Sequence, residues 1–188
     1  MRTITVALVA LAAAGPLGAQ RAPQRAGQWL GLGVGVGHGR VSCQICVANR
    51  RMSLSGFFRA GGTLSRRTLL GGELNGWLRR ENDVDEYLLA ASAVVSWYPN
   101  PRRGLFYKGG VAVMLYHTDD GPNRLSSTAF GPQLGAGLDI PLSPSVSFTP
   151  HVNWLVASLG GEMKFNGSTL REDVGLMLIQ VGMGVTWH

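Results

Sequence analysis

The chain has 188 residues, a formal net charge of +6, and only 15% charged against 45% hydrophobic residues. Its 27 glycines are many for a soluble helical domain, because glycine weakens helix interiors. Lys and Arg are dispersed, so the basic balance does not point to nucleic acid, and beyond the N-terminus no stretch is long and apolar enough for a spanning helix.

The N-terminus has the pattern of a cleaved secretory signal. Arg2 supplies a positive start, Ile4 to Ala14 an apolar core, Gly15-Pro16 a break, and Leu17-Gly18-Ala19 small residues before a cut ahead of Gln20. The expected organisation is a signal peptide over 1–19, an N-terminal lead over 20–28, and one β-barrel over 29–188. Removing Arg2 leaves 16 basic and 11 acidic residues, a mature charge of +5.

Eight segments then alternate with period two, which a helix cannot use. The first sets Leu30, Leu32, Val34 and Val36 against Gly31, Gly33, Gly35 and Gly37. A glycine run can suggest a phosphate-binding loop, but here strict alternation continues and no helix pattern follows. The second segment, about Leu54 to Leu64, turns Ser55, Phe57, Arg59, Gly61 and Thr63 inward. After Ser65-Arg66-Arg67 the third puts Leu70, Leu74 and Leu78 outside, with Leu69, Glu73, Asn75, Trp77 and Arg79 inside. The fourth carries Leu89, Ala91, Ala93, Val95 and Trp97 outward. The turn Pro99 to Gly104 leads to a fifth with Tyr107, Val111, Val113 and Leu115 outward, and Phe106, Lys108, Ala112, Met114 and Tyr116 inward. In the sixth, Thr128 to Leu142, Gln133 and Asp139 point inward. In the seventh, Ser147, Thr149, His151 and Asn153 do; in the last, Gln180, Gly182, Gly184 and Thr186. Pro132 and Pro150 fall inside strands and predict bulges or small register shifts.

Connections at Arg40–Arg51, Glu81–Asp85, Asp119–Ser127 and Gly160–Asp173 read as longer polar loops, and the others as tight turns. Apolar outside, polar inside and lopsided rims predict an all-β, eight-stranded, antiparallel up-and-down transmembrane barrel. Its termini would then be periplasmic and its long loops extracellular. A soluble barrel of the lipocalin kind would reverse the polarity. Trp97, Tyr107, Phe148 and Trp187 near one rim, with Trp154 closer to the other, read as membrane-interface aromatics.

With these segments the chain resembles the small outer-membrane β-barrel proteins, the broad family with OmpA-, OmpX- and OmpW-like members. The resemblance covers Trp29 to His188. It rests on the export signal, the eight segments, the Tyr98-Pro99 strand end, the start Phe106-Tyr107-Lys108-Gly109-Gly110, and the last strand Gln180 to Trp187. It implies a bacterial outer-membrane location and contact with outer-membrane lipid, lipopolysaccharide and, during biogenesis, the barrel-assembly machinery. Such proteins usually finish on an aromatic residue; here Trp187 is followed by His188.

The inward set holds Arg59, Glu73, Lys108, Asp139 and His151, with Arg59 and Glu73 almost opposite one another. Charges in a narrow lumen need partners, so these predict a lumenal charge network that fills the bore; the alternative is a narrow ion path through the same groups. Cys43-Gln44-Ile45-Cys46 makes half a zinc site at best, and in an oxidising compartment a Cys43–Cys46 disulfide pinning the first outer loop is more economical.

Some small barrels of this membrane act on lipids. Lipid A deacylases pair a His with a Ser two positions on, but His151 is followed by Val152 and Asn153. His117, Asp119, Asp120 and Ser126 or Ser127 could only assemble as a loop triad. The expected function is therefore non-enzymatic, with no cofactor or metal: a monomeric envelope barrel whose outer loops contact a surface partner or lipopolysaccharide. A narrow channel for small solutes or ions is the first alternative and a lipid-modifying enzyme the second.

Overall fold

A computed structural model describes residues 25–42, 51–81, 84–121 and 123–188. The expected leader over 1–19 and the Cys43–Cys46 pair lie outside these residues. The described elements are β1 (Gln28–Ser42), β2 (Arg51–Ser65), β3 (Thr68–Glu81), β4 (Val84–Trp97), β5 (Leu105–Asp120), β6 (Asn123–Leu138), β7 (Ile140–Pro141), β8 (Val146–Ala157), β9 (Leu159–Phe165), β10 (Ser168–Glu172) and β11 (Gly175–Trp187). Three of them continue a neighbour: β7 extends β6, β9 extends β8 and β11 extends β10. Eight antiparallel staves result.

Each stave pairs with the next, and β1 pairs with β11 from Leu30↔Trp187 to Ser42↔Gly175, closing the sheet on itself. Closure removes the two long edges an open sheet would have; among the described strands β10, paired only with β9, keeps one side open. Along β4 buried and exposed residues alternate strictly from Leu88 to Trp97. The outward residues are large and apolar, among them Leu32, Val34, Leu54, Leu74, Val111, Leu134 and Val181. Water would not tolerate that surface; an acyl-chain environment would.

Inside, the glycines of the closing seam are demanded by packing. A Cβ on Gly35 would lie 2.2 Å from the Val181 carbonyl oxygen. The first segment alternates leucine or valine with glycine for two reasons: β11 backbone closes on Gly33 and Gly35, and the Arg59 and Trp77 side chains lie across Gly31 and Gly37.

Three expectations are corrected. Two of the expected outer loops are strand ends instead: only residues 82–83 separate β3 from β4, and 121–122 separate β5 from β6, whereas 98–104 span the opposite rim. Polar residues at those strand ends alternate and pair like the rest, so polarity there did not mean loop. The expected loop Gly160–Asp173 is mostly the β9–β10 hairpin, turned at Asn166 and Gly167 with φ of 48° and 86°. Asn-Gly with positive φ at both positions is the favoured two-residue hairpin turn. Finally, the interior is not polar throughout, since its upper third is apolar.

The prolines act on one side of their strands. Ladders β5–β6 and β8–β11 run through Pro132 and Pro150 without a shift. The β6–β8 ladder holds only the five pairs from Gln133↔Leu155 to Gly137↔His151, and the two prolines stand just beyond its ends. Past Pro132 the β6 register changes, with Phe130↔Leu159 and then Thr128↔Glu162. At Pro150 the same register resumes at Ile140↔Phe148, so the ladder has a gap there and no shift.

Candidate functional site

The inward side chains stack in three layers, counted from the rim that carries the 98–104 connection. At this rim Trp29, Leu69, Tyr98 and Phe106 form an aromatic floor. Asp139, between β6 and β7, is buried among polar groups there. It accepts from Tyr98 Oη at 2.8 Å, from Thr149 Oγ1 at 2.9 Å and from Arg25 Nη2 at 3.3 Å, with His188 Nε2 at 3.5 Å. Arg25 also donates to the Pro101 carbonyl at 2.8 Å and lies 3.8 Å over the Tyr98 ring. Burial, reinforced by the Asp139 carboxylate, raises the Tyr98 phenol above its ordinary value, so it remains a donor.

The middle layer centres on Glu73. Lys108 Nζ donates to Glu73 Oε2. Glu73 Oε1 accepts from Gln133 Nε2 at 2.7 Å, Asn75 Nδ2 at 2.9 Å and Asn153 Nδ2 at 3.1 Å. Asn153 also donates to Asn75 and Gln180, and Gln180 to the Gly56 carbonyl. Strands β3, β5, β6 and β8 thus meet at one carboxylate, and β11 joins through Asn153. Both ions are essentially out of solvent, where an unpaired charge would be costly.

Arg59 stands between the two carboxylates and bonds neither. Although it is the register partner of Glu73, its Nη2 donates to Thr186 Oγ1 at 2.7 Å. Its guanidinium lies 5.2–5.9 Å from the ring centres of Phe106, Phe57 and Trp29. Thr186 contacts Thr149 at 2.9 Å, and Thr149 reaches Asp139. The route from Arg59 to Asp139 therefore passes through two hydroxyls. His151 is buried beside Phe57, ring centroids 4.4 Å apart, and neither ring nitrogen has a protein partner.

Above this layer Trp77, Leu88, Met114, Leu155, Leu176 and Leu178 pack into an apolar cluster joined by small alanines. Trp77 Nε1 donates to the Gly37 carbonyl at 3.0 Å, which fixes the indole across the bore. A dewetted apolar plug of this kind is a barrier to ions.

Of the residues singled out in the sequence, the structure places Glu73 and Lys108 in contact, Asp139 in a separate layer, Arg59 between the two, and His151 without a bond. Sequence reasoning put Thr149 and Thr186 on the inward face without assigning them to the charge network, and missed Arg25, Tyr98 and His188 there altogether. The hydroxyls and the amides carried a signal in their inward parity; Arg25, in the lead, carried none.

The aromatic residues mark the wall's edges. Trp97 and Tyr107 stack at 6.4 Å at the floor rim, where Phe148 and Trp187 also stand near their strand ends. Trp154 lies further up β8, paired with Ile179 and Leu134. At the other rim Tyr87 stacks on His117 at 4.9 Å. Asp119 accepts from Arg124 Nε at 3.1 Å, so Asp119 and His117 are each engaged outside a triad.

No protein-family model matches this chain, and no curated protein matches it. Among solved structures it is similar to Neisserial surface protein A, NspA, with 15% identity, a TM-score of 0.57, and coverage of 86% of this chain and 97% of that one. It is also similar to Ail, the attachment invasion locus protein of Yersinia pestis (14% identity, TM-score 0.53, 86% and 99% covered). The outer membrane protein OprG from Pseudomonas aeruginosa matches at 13% identity and a TM-score of 0.51, with 90% and 100% covered. At these identities the likeness carries the fold: this is the closed eight-stranded barrel of small outer-membrane proteins.

Proposed function

We propose that the chain is a non-enzymatic β-barrel of the bacterial outer membrane, with an envelope role and an outer rim that contacts lipopolysaccharide or another surface partner. The observation that carries this reading is the sealed bore: a buried Glu73–Lys108 ion pair, its carboxylate also held by Gln133, Asn75 and Asn153, lies beneath an apolar plug of Trp77, Leu88, Met114 and Leu155. Eight strands leave an interior just wide enough for side chains. The lumenal residues Arg59, Glu73, Lys108, Asp139 and His151 serve as filling and cross-bracing of the wall.

The outer-membrane placement is supported by the belt. On β4, Tyr87 and Trp97 stand ten residues apart, about 33 Å along the strand. At a tilt of roughly 45° that is about 24 Å of height, close to the ~25 Å apolar band of outer-membrane barrels. The floor rim is read as periplasmic and the β9–β10 hairpin as extracellular. A surface ligand is in keeping with this fold, since Ail has also been solved with the heparin analogue sucrose octasulfate.

Planar-bilayer recording of the refolded chain tests the sealed bore. A silent bilayer, together with heat-modifiable gel mobility, is the expected result. Steady conductance abolished by Glu73→Gln or Lys108→Met would instead establish a path through the same residues.

A further inference from the structure

Charge is distributed unequally between the two rims. At the rim away from the floor, charges stand in pairs of opposite sign: Arg79 with Glu86 at 3.7 Å, Arg80 with Asp85 at 3.5 Å, Arg124 with Asp119 at 3.1 Å and Lys164 with Glu162 at 3.4 Å. At the floor rim the one acidic residue, Asp139, is buried and already held by Arg25, Tyr98 and Thr149. The exposed charges there are all positive: Arg66 and Arg67 on the β2–β3 turn, Arg102 and Arg103 on the β4–β5 connection. Segments 62–68, 98–104 and 141–146 hold no acidic residue. Among the described residues, no side chain pairs with any of the four arginines.

The two turns are tied together and held in shape. The Arg67 carbonyl accepts from the Tyr98 backbone N–H at 2.8 Å, which joins one turn to the other. Ser65 Oγ accepts from the Arg67 N–H at 3.2 Å, and Asn100 Oδ1 from the Arg102 N–H at 3.0 Å. Arg25 holds the Pro101 carbonyl from within the barrel at 2.8 Å. Four like charges are thus gathered on one sector of the rim. They repel one another, and no carboxylate of that sector offsets them.

The wall below the sector says what meets it. Trp97, the register partner of Thr68, stacks on Tyr107 at the strand ends from which these turns spring. Outward Trp and Tyr rings mark the level of lipid head groups. Leu64, Leu70 and Leu105 beside them are exposed and apolar. The arginines therefore stand where an acyl layer gives way to phosphates, and not out in the aqueous phase.

We infer that, given the membrane placement and the periplasmic reading of the floor rim proposed above, these four arginines dock the phosphates of anionic phospholipids in the leaflet at that rim. A guanidinium is always charged and can give two parallel N–H donors to phosphate oxygens. A phosphatidylglycerol head brings a phosphate without an amine, so it supplies the negative charge the sector lacks. A zwitterionic head brings its own cation and offsets nothing.

Native mass spectrometry of the full refolded chain, titrated with phosphatidylglycerol or with phosphatidylcholine of the same acyl chains, reads the preference. The parent chain should retain phosphatidylglycerol about tenfold better, with the margin shrinking as salt rises. Arg66→Gln with Arg67→Gln should lose part of that margin, and so should Arg102→Gln with Arg103→Gln. All four together should bring the two lipids level, whereas Arg80→Gln with Arg124→Gln, at the other rim, should leave the margin intact. An undiminished margin in both floor-rim pairs, or the same loss from the other rim, overturns the site. Lipid A retained through these arginines in place of phosphatidylglycerol puts the sector in the outer leaflet and overturns it too. Binding of inorganic phosphate that depends on the arginines, with no preference between the lipids, rules out the lipid source. Heat-modifiable mobility is read in parallel: variants that keep it while lipid retention fails to respond leave the barrel standing and the arginine sector wrong, and a parent chain without it overturns the membrane placement itself.

Discussion

Lys108 of β5 reaches across the position of β4 to Glu73 of β3, although their strands are not paired neighbours. The bond therefore braces the bore as well as the wall. Removing one partner leaves the other charge buried, and such losses run to about 3–5 kcal/mol. Glu73→Gln and Lys108→Met should each lower the urea midpoint accordingly. The double variant should be less destabilised than the sum, because it leaves no orphaned ion. Additive losses in a double-mutant cycle would mean that the two side chains do not work as a pair.

The seam glycines make a separate prediction. Gly35→Ala places its Cβ 2.2 Å from the Val181 carbonyl oxygen, and backbone cannot move aside without opening the β1–β11 ladder. Refolding into lipid should fail or yield no heat-modifiable species. Gly62→Ala, whose Cβ meets nothing within 4 Å, should refold like the parent chain. Equal refolding of both would show that the seam is looser than its register implies.

Wall and lumen differ in how far the sequence discloses them. Faces were legible because period two leaves no choice: once Leu74 points out, Glu73 and Asn75 point in. Partner choice was not, because it depends on barrel closure. Arg59 is register partner to Glu73, yet its guanidinium crosses Gly31, which pairs with both Arg59 and Thr186, to reach that threonine, 127 residues away. The β9–β10 hairpin was hidden by its polar composition, although Asn166-Gly167 between Phe165 and Leu170 is a readable turn signal. Arg25 was illegible for a plainer reason: no periodicity covers it, and its partners Tyr98, Pro101 and Asp139 converge only when the floor is assembled.

That convergence makes Arg25 the bolt of the floor. Arg25→Ala removes a stacked guanidinium and bonds to Pro101 and Asp139, a loss of about 2–4 kcal/mol for a desolvated site. Differential urea unfolding of Arg25→Ala and Arg25→Lys should rank the lysine between parent and alanine. A floor that does not use Arg25 would leave all three midpoints together.

Tyr98 predicts an alkaline response. Its phenol is held above the ordinary value by burial and Asp139, so the unfolded chain releases this proton first, from about pH 10. Stability contributed by Tyr98 is thus complete below that pH and falls as pH rises beyond it. Tyr98→Phe should start from a lower midpoint, since Asp139 loses a donor, but decline less steeply above pH 10. Parallel slopes for parent and variant would show that Tyr98 ionises alike in both states.

The belt itself can be scanned by depth. Leu74 and Leu89 lie outward in the middle of the wall, while His117 stands beside Tyr87 at its edge. If acyl chains surround the wall, an arginine at the first two positions must be desolvated or must drag water and head groups inward, at about 2–4 kcal/mol each. At the edge the same side chain reaches the interface, and the cost falls to about 0–1 kcal/mol. Leu74→Arg and Leu89→Arg should therefore unfold far earlier than His117→Arg when measured by reversible folding in lipid vesicles. The contrast should follow position along the strand and not residue size, because all three side chains lie on the outward face. A flat profile across the three sites would mean that water, and not lipid, meets the middle of this wall.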